Sequence, residues 1–446
     1  MVVAASALLA AVTAVAPAPY AEVAVLPQGP STPYGRAPDL QITSAGVART
    51  ATLLYATRWN ATVYKASGPI EEFLGPDGQV DAALLMSLAE PSEDKLAASY
   101  LEMSDANSVV VVRDPIREKD VIRPFHQSLP STSGEFQMKV TSWRGHSVAE
   151  YTPLQRPARS TIIFLGGTDG QISNPALSEW ASLGMNVISL PWVDAGTQTP
   201  GCLDRIDLDL LAQKVNHLVD LHAAAGPVSL VGFSGGADAA LMIANRSGLA
   251  LHSVHAISPT AWHFNGAKGP ACALPSSPWL IDGEAAPYVM NFAMNWRTPF
   301  NLARRALGGL SQNTLAEEAL EAATPDALKT ITYDVSNISY PAFLYAGALD
   351  DLTPSAKTLR LFCREIEGAE CYTNASAGHD IFGAPSRPVF CDSPREALKG
   401  TDRRTYCLET ARARQHVFHR VSLIALGDRP SRALGTAVRK IFSECR

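Results

Sequence analysis

Before Cys202 the chain has no cysteine, and the seven it carries form no C-x-x-C pair. A zinc ribbon or a thioredoxin-like dithiol therefore has no spacing to stand on, and no metal or other cofactor is expected. Charge of either sign never gathers in a long run, and the formal net charge is −6. The basic footprint of a nucleic-acid-binding surface is missing. No apolar stretch is long enough to cross a bilayer. No internal repeat is visible, which removes solenoids and propellers.

What is present suits a globular chain of one to three domains: 446 residues, 46% of them hydrophobic. Val2 to Val15 is almost entirely Ala, Val and Leu and gives way to Ala16-Pro-Ala-Pro-Tyr-Ala21. That is the pattern of a signal-peptide core before a small-residue cleavage site, although no Lys or Arg follows Met1. Export, to the periplasm or the outside, is the expectation, with an intracellular location as the alternative. Cysteines crowded toward the C-terminus fit local disulfides in an oxidising compartment.

Residues 1–35 are thus expected to be signal peptide and linker. Residues 36–155 hold short alternating pieces such as Ala51-Thr-Leu-Leu-Tyr55, Ser108-Val-Val-Val-Val-Arg113 and Gln137-Met-Lys-Val-Thr141, which predict a small β-sandwich domain. From 156 to 446 strand-like runs alternate with helical ones. Thr161 to Leu165, Asn186 to Leu190, Val228 to Val231, Val254 to Ser258 and Ala342 to Tyr345 predict a mostly parallel sheet with helices on both faces. Between about 260 and 335 the rhythm breaks, and a helical cap insertion is expected there.

The most informative stretch is Gly232-Phe233-Ser234-Gly235-Gly236, a G-x-S-x-G pentapeptide between a buried strand and an Ala-rich helix. In that context the turn is tight and lifts the serine hydroxyl clear of the sheet, at a helix N-terminus that favours negative charge. A serine nucleophile needs a base, and the base needs an acid to orient it. Downstream, Ala346-Gly-Ala-Leu-Asp-Asp-Leu-Thr-Pro354 follows a strand and offers Asp350 or Asp351, of which Asp350 has the better glycine and proline spacing. Ala375-Ser-Ala-Gly-His-Asp-Ile-Phe382 then offers His379, where Gly378 lets the backbone bend. The order Ser234, Asp350, His379 is that of the serine hydrolases built on a parallel sheet. The loop Gly166-Gly-Thr-Asp-Gly170 lacks a P-loop lysine and is not G-x-G-x-x-G. It suits an oxyanion hole, with the backbone N–H groups of Thr168 and Gly235 as donors. Trp262, Phe264, Trp279, Phe292 and Trp296 are candidate walls of an acyl pocket.

These motifs resemble the α/β-hydrolase superfamily over roughly residues 156–385. Within it, Gly75-Pro-Asp-Gly-Gln-Val-Asp-Ala82, Phe164-Leu-Gly-Gly-Thr-Asp-Gly170, Ile257-Ser-Pro259 and Gly378-His379 are similar to pieces of the acyl-CoA thioester hydrolases and bile-acid-CoA:amino-acid N-acyltransferases. The resemblance implies Ser234 as nucleophile, Asp350 as acid and His379 as base, acting on an acyl thioester. The expectation is therefore a serine-dependent acyl hydrolase on a small-molecule ester or thioester. An acyltransferase to an amine and a binding protein with a dead site are the alternatives. Oligomeric state is left open.

Overall fold

Strands occur throughout the chain but build two main sheets of opposite character. In the computed structural model the described residues are 22–26, 32–33, 39–43, 51–59, 62–74, 80–104, 108–114, 119–125, 127–128, 136–143, 146–168, 175–193, 203–246, 248–266, 276–290, 312–384, 398–427 and 442–444. The first sheet is antiparallel. It contains β1 (Thr52–Trp59), β2 (Thr62–Pro69), β3 (Glu90–Pro91), β4 (Ser108–Asp114) and β5 (Lys119–Phe125), in the order β3-β2-β1-β4-β5. Alternation along the strands sends side chains to two faces. Leu53, Tyr55, Val110 and Val112 pack with Phe73, Leu85 and Met86, around helix α1 (Ala82–Ser87). Ala56, Val109 and Val111 pack with Ala97 and Leu101 of helix α2 (Lys95–Ser104).

The expected β-sandwich is therefore one sheet covered on both faces by helical segments. The same alternation serves either arrangement, which is why it suggested two sheets. Part of the expected linker is also ordered as strand: Glu22–Leu26 pairs antiparallel with Asp39–Thr43. The proposed signal segment, residues 1–21, lies outside the described residues.

The second sheet begins earlier than expected. β6 (Phe136–Trp143) and β7 (His146–Pro153) form an antiparallel hairpin that joins it at one edge, so the boundary placed at 155 falls inside this unit. β6 is exposed over most of its length, so its pattern reads like that of a small-domain strand. Beyond the hairpin come β8 (Ser160–Leu165), β9 (Met185–Ser189), β11 (Val228–Phe233), β12 (Ser253–Ile257), β15 (Ala342–Gly347) and β16 (Glu370–Asn374). β17 (Phe442–Glu444) pairs antiparallel at the far edge. A separate three-stranded sheet is formed by β10 (Ile206–Asp207), β13 (Trp279–Ile281) and β14 (Glu284–Ala285).

The large sheet has the order β6-β7-β9-β8-β11-β12-β15-β16-β17, with every pair from β9 through β16 parallel. An antiparallel hairpin, one strand exchange at β9/β8 and then a run of parallel neighbours define the α/β-hydrolase fold. Along β8, Ile163 and Leu165 face a cluster that includes α4 (Leu208–His222), α5 (Gly235–Arg246) and α8 (Ser355–Glu365). Ile162 and Phe164 face α3 (Pro175–Ser182) and α9 (Arg403–Ala425). Both faces are thus dry, as a parallel sheet requires. Side-chain caps start the helices: Asp207 accepts from Leu210 N–H before α4, and Asp402 from Thr405 N–H before α9.

The region between β12 and β15 is mixed rather than purely helical among the described residues. It holds β13, β14, α6 (Gln312–Ala322) and α7 (Pro325–Ile331). The parallel strands all end at one edge, and the chemistry gathers there. No helix of the described residues is long and apolar enough to cross a membrane.

Candidate active site

β11 runs into α5 through Ser234, whose φ is 54°. Left-handed backbone is costly for a residue with a Cβ, roughly 1–2 kcal/mol, and it persists only where surroundings enforce it. Here the Ser234 N–H donates to the Ile257 carbonyl at 2.8 Å and its carbonyl accepts from Ala237 N–H at 2.8 Å. Ser234 is half-buried at the head of α5. Its neighbour Gly235 has no room for a side chain. A Cβ there would meet Thr168 Cγ2 at 2.6 Å and Trp192 Cη2 at 3.0 Å. The elbow and the loop after β8 are therefore in direct contact. The two expected oxyanion donors lie on the two sides of that contact, and Gly235 opens a helix whose first N–H groups have no intrahelical acceptor.

Asp350 and His379 meet as expected. The loop after β15 carries Asp350, and the loop after β16 carries His379. The imidazole Nδ1 is 3.0 and 2.9 Å from the two carboxylate oxygens. With Nδ1–H donating to a carboxylate, Nε2 is left as the proton acceptor. Asp350 is 4% exposed and accepts four further bonds: from Leu352 N–H and Thr353 N–H, both 2.9 Å, from Thr353 Oγ1 at 3.0 Å and from Ser355 Oγ at 2.6 Å. Burial works to raise its pKa, but the His379 charge and these donors hold the carboxyl below the usual range. For His379, burial works against the charged ring. The carboxylate of Asp350, with lesser help from Asp351 and Asp380, overcomes it and raises the pKa above 6.5. Asp351, the other candidate acid, is buried beside the site, but the bonds to Nδ1 come from Asp350.

Among the described residues the Ser234 hydroxyl makes no hydrogen bond to the imidazole. Catalytic hydrogen bonds are commonly long before substrate arrives. The two loops are nonetheless neighbours, since the Phe233 ring lies 5.3 Å from the His379 ring. Gly378 has a different role from the expected one. Its φ is not positive; instead a Cβ would lie 1.8 Å from the Tyr406 hydroxyl oxygen of α9. Close approach, not bending, demands glycine there.

The candidate pocket walls separate. Trp279 stacks on Trp192 at 5.4 Å, and Trp192 Nε1 donates to the Gly166 carbonyl at 2.7 Å, so this aromatic pair borders the oxyanion loop. Trp192 itself had no local motif to mark it. Trp262 is in the core, bridged to Thr332, with Lys357 Nζ 5.8 Å from its ring. Phe264 pairs with Val289 beside the same core. Phe292 and Trp296 lie outside the described residues. Cavities of about 610 and 420 Å³ lie elsewhere, and neither is lined by Ser234, Asp350 or His379. Among the described residues no cluster of His, Cys, Asp or Glu could hold a metal ion. Thr353 and Ser355 were legible only as residues close after Asp350, and Ser258 only as part of Ile257-Ser-Pro259.

No family model and no curated protein matches the chain. Among solved structures it is similar to a brefeldin A esterase described as a bacterial homologue of human hormone sensitive lipase (14% identity, covering 68% of this chain and 80% of the other, TM-score 0.38). It is also similar to the monoacylglycerol lipase of Paleococcus ferrophilus (16% identity, 65% of this chain and 99% of the other, TM-score 0.35). A third is a 2,6-dihydroxy-pseudo-oxynicotine hydrolase (12% identity, 68% and 71%, TM-score 0.37). At these scores the likeness adds no argument to the geometry.

Proposed function

We propose that the chain is a serine-dependent acyl hydrolase that cleaves an ester or thioester through an acyl-enzyme. The observation that carries the reading is a strained Ser234 at the head of α5, on the same sheet edge as a buried His379–Asp350 pair. His379 Nε2 takes the Ser234 proton as the oxygen attacks the acyl carbonyl, and Asp350 holds the tautomer and the imidazolium. The N–H groups of Gly235 and Thr168 receive the oxyanion. One such donor is worth about 3–4 kcal/mol of the barrier. His379 then returns the proton to the leaving alcohol or thiol, and water releases the acyl group by the reverse sequence.

A thioester substrate is the finer version of this reading, motivated by the sequence resemblance. Secretion into an oxidising compartment is proposed as well. It is supported by the Cys363–Cys371 disulfide, which ties α8 to β16, and by the disulfide-bonded state of Cys407. The test is purified protein against p-nitrophenyl esters and acyl-CoA thioesters of graded chain length, alongside Ser234→Ala. Turnover that vanishes in the variant supports the proposal, and the preferred leaving group decides ester or thioester. Capture of the acyl group by an added amine in place of water makes the enzyme a transferase. Activity unchanged in Ser234→Ala refutes the reading.

A further inference from the structure

The loop bearing His379 is held at three consecutive residues, by groups from two other elements. The Gly378 N–H donates to Thr410 Oγ1 at 2.9 Å, and that hydroxyl donates in turn to the Tyr406 carbonyl at 2.7 Å. The His379 carbonyl accepts from Ser258 Oγ at 3.0 Å. The Asp380 carbonyl accepts from Arg414 Nε at 3.2 Å, and the Asp380 carboxylate is ion-paired with the same guanidinium. Thr410 and Arg414 are four apart on α9 and so share one helical face. The Arg414 side chain is only 3% exposed, and its guanidinium also lies against Gly383 at the far end of the loop.

A buried guanidinium is costly unless its partners repay the lost hydration. A hydrophobic residue would fill the same space without that cost, so the charge calls for an explanation. The charged and titratable groups facing His379 supply one. From the loop after β15 come Asp350 and Asp351, and from its own loop Asp380; from α9, Arg414 reaches the loop at Asp380 and the Tyr406 hydroxyl lies beside Gly378. Phe233, whose ring lies 5.3 Å from the imidazole, and Ser258, which donates to the His379 carbonyl, add no charge. Three carboxylates thus bear on one imidazole; Asp350 holds its tautomer, and of the other two Asp380 is ion-paired with the Arg414 guanidinium.

We propose that Arg414, assisted by Thr410, is a positioning residue for the base: it fixes the His379 loop and neutralises Asp380, setting the pH above which His379 accepts a proton. The inference rests on the reading of His379 as general base. Without Arg414 the Asp380 carboxylate loses this ion pair, the imidazolium is favoured, and the acid limb of kcat/KM moves to higher pH. Without the Asp380 charge the limb moves to lower pH. Because Asp380 is partly exposed, each shift is roughly 0.5–1 pH unit.

The experiment compares Arg414→Gln, Arg414→Lys and Asp380→Asn with the wild type, following kcat and KM for a p-nitrophenyl ester across pH. Arg414→Gln is expected to lower kcat about ten- to a hundred-fold at unchanged KM and to move the limb upward. Arg414→Lys is expected to keep the limb in place while still losing kcat, because the charge survives and the fork does not. Asp380→Asn is expected to move the limb downward. If the folded variants all keep the wild-type limb, the proposal is wrong. If Arg414→Gln does not fold, Asp380→Asn alone decides, and an unmoved limb overturns the inference. Failure of the function proposed above looks different: the wild type then shows no Ser234-dependent turnover to profile.

Discussion

Two adjacent strands, β11 and β12, end in the same backbone turn and use it differently. Ser234 and Ser258 directly follow them, and each has φ 54°. Each donates its N–H at 2.8 Å to a carbonyl of the neighbouring strand, Ile257 of β12 for one and Tyr345 of β15 for the other. The likeness stops at the side chain. Ser234 is half-buried, while Ser258 is fully buried and spends its hydroxyl on the His379 carbonyl. It stops again at the next residue. Gly235 offers a backbone N–H and begins a helix, whereas Pro259 has no N–H to offer. A strained serine at a strand end is therefore not enough to mark a nucleophile. The helix behind it and the donor after it make the difference, and the second corner acts as a brace for the base.

That contrast can be broken in stages. Ser234→Ala should cost roughly four to six orders of magnitude in kcat with little change in Tm, and Asp350→Asn about four, measured by ester hydrolysis. Gly235→Ala should follow at about two to three orders, because the added methyl meets Thr168 and Trp192 and forces the oxyanion donors apart. Ser258→Gly should cost only about ten-fold in kcat, since His379 keeps its other restraints. Its stability should barely move, because losing a buried hydrogen bond of about 1 kcal/mol is offset by relief of about 1–2 kcal/mol of backbone strain. A Ser258→Gly defect as large as that of Ser234→Ala would erase the distinction between the two corners.

A further effect, on stability rather than rate, concerns the strands beneath the corners. In β12, His255 is fully buried in a chain of hydrogen bonds from Ser229 of β11 through Ser253 to Tyr345 of β15. Burial pushes its pKa down to about 3, and likewise those of His263 and His416 to about 4. These folded-state values lie below the unfolded one, so the unfolded chain binds more protons between about pH 6.5 and pH 3–4. Stability is full above that window and falls as the pH drops through it, by up to about 1.4 kcal/mol per pH unit for each histidine. Denaturant midpoints from pH 7 to pH 4 measure this, and His255→Gln should flatten the decline.

Much of the parallel sheet was legible because its strands are short, β-branched and buried on both faces, as in Thr161 to Leu165. The triad candidates were legible for a related reason: strand ends in a parallel sheet fall on one edge, so chain order translates into proximity. α9 was not. One of its faces packs on the sheet through Ala413, Val417 and Val421, and another on the N-terminal unit through Tyr406, Cys407 and Ala411. Two apolar stripes with a buried Arg414 between them blur the single-stripe periodicity by which a surface helix is recognised. The hairpin of β6 and β7 was assigned to the wrong unit because alternation reports a half-exposed strand without naming the sheet it joins.

The most direct measurement is labelling of the native protein with a fluorophosphonate probe, followed by intact mass and peptide mapping. One probe per chain on Ser234, lost in Ser234→Ala and much slowed in His379→Ala, is the predicted result. An unlabelled wild type, or label on another serine that persists in Ser234→Ala, would contradict the account.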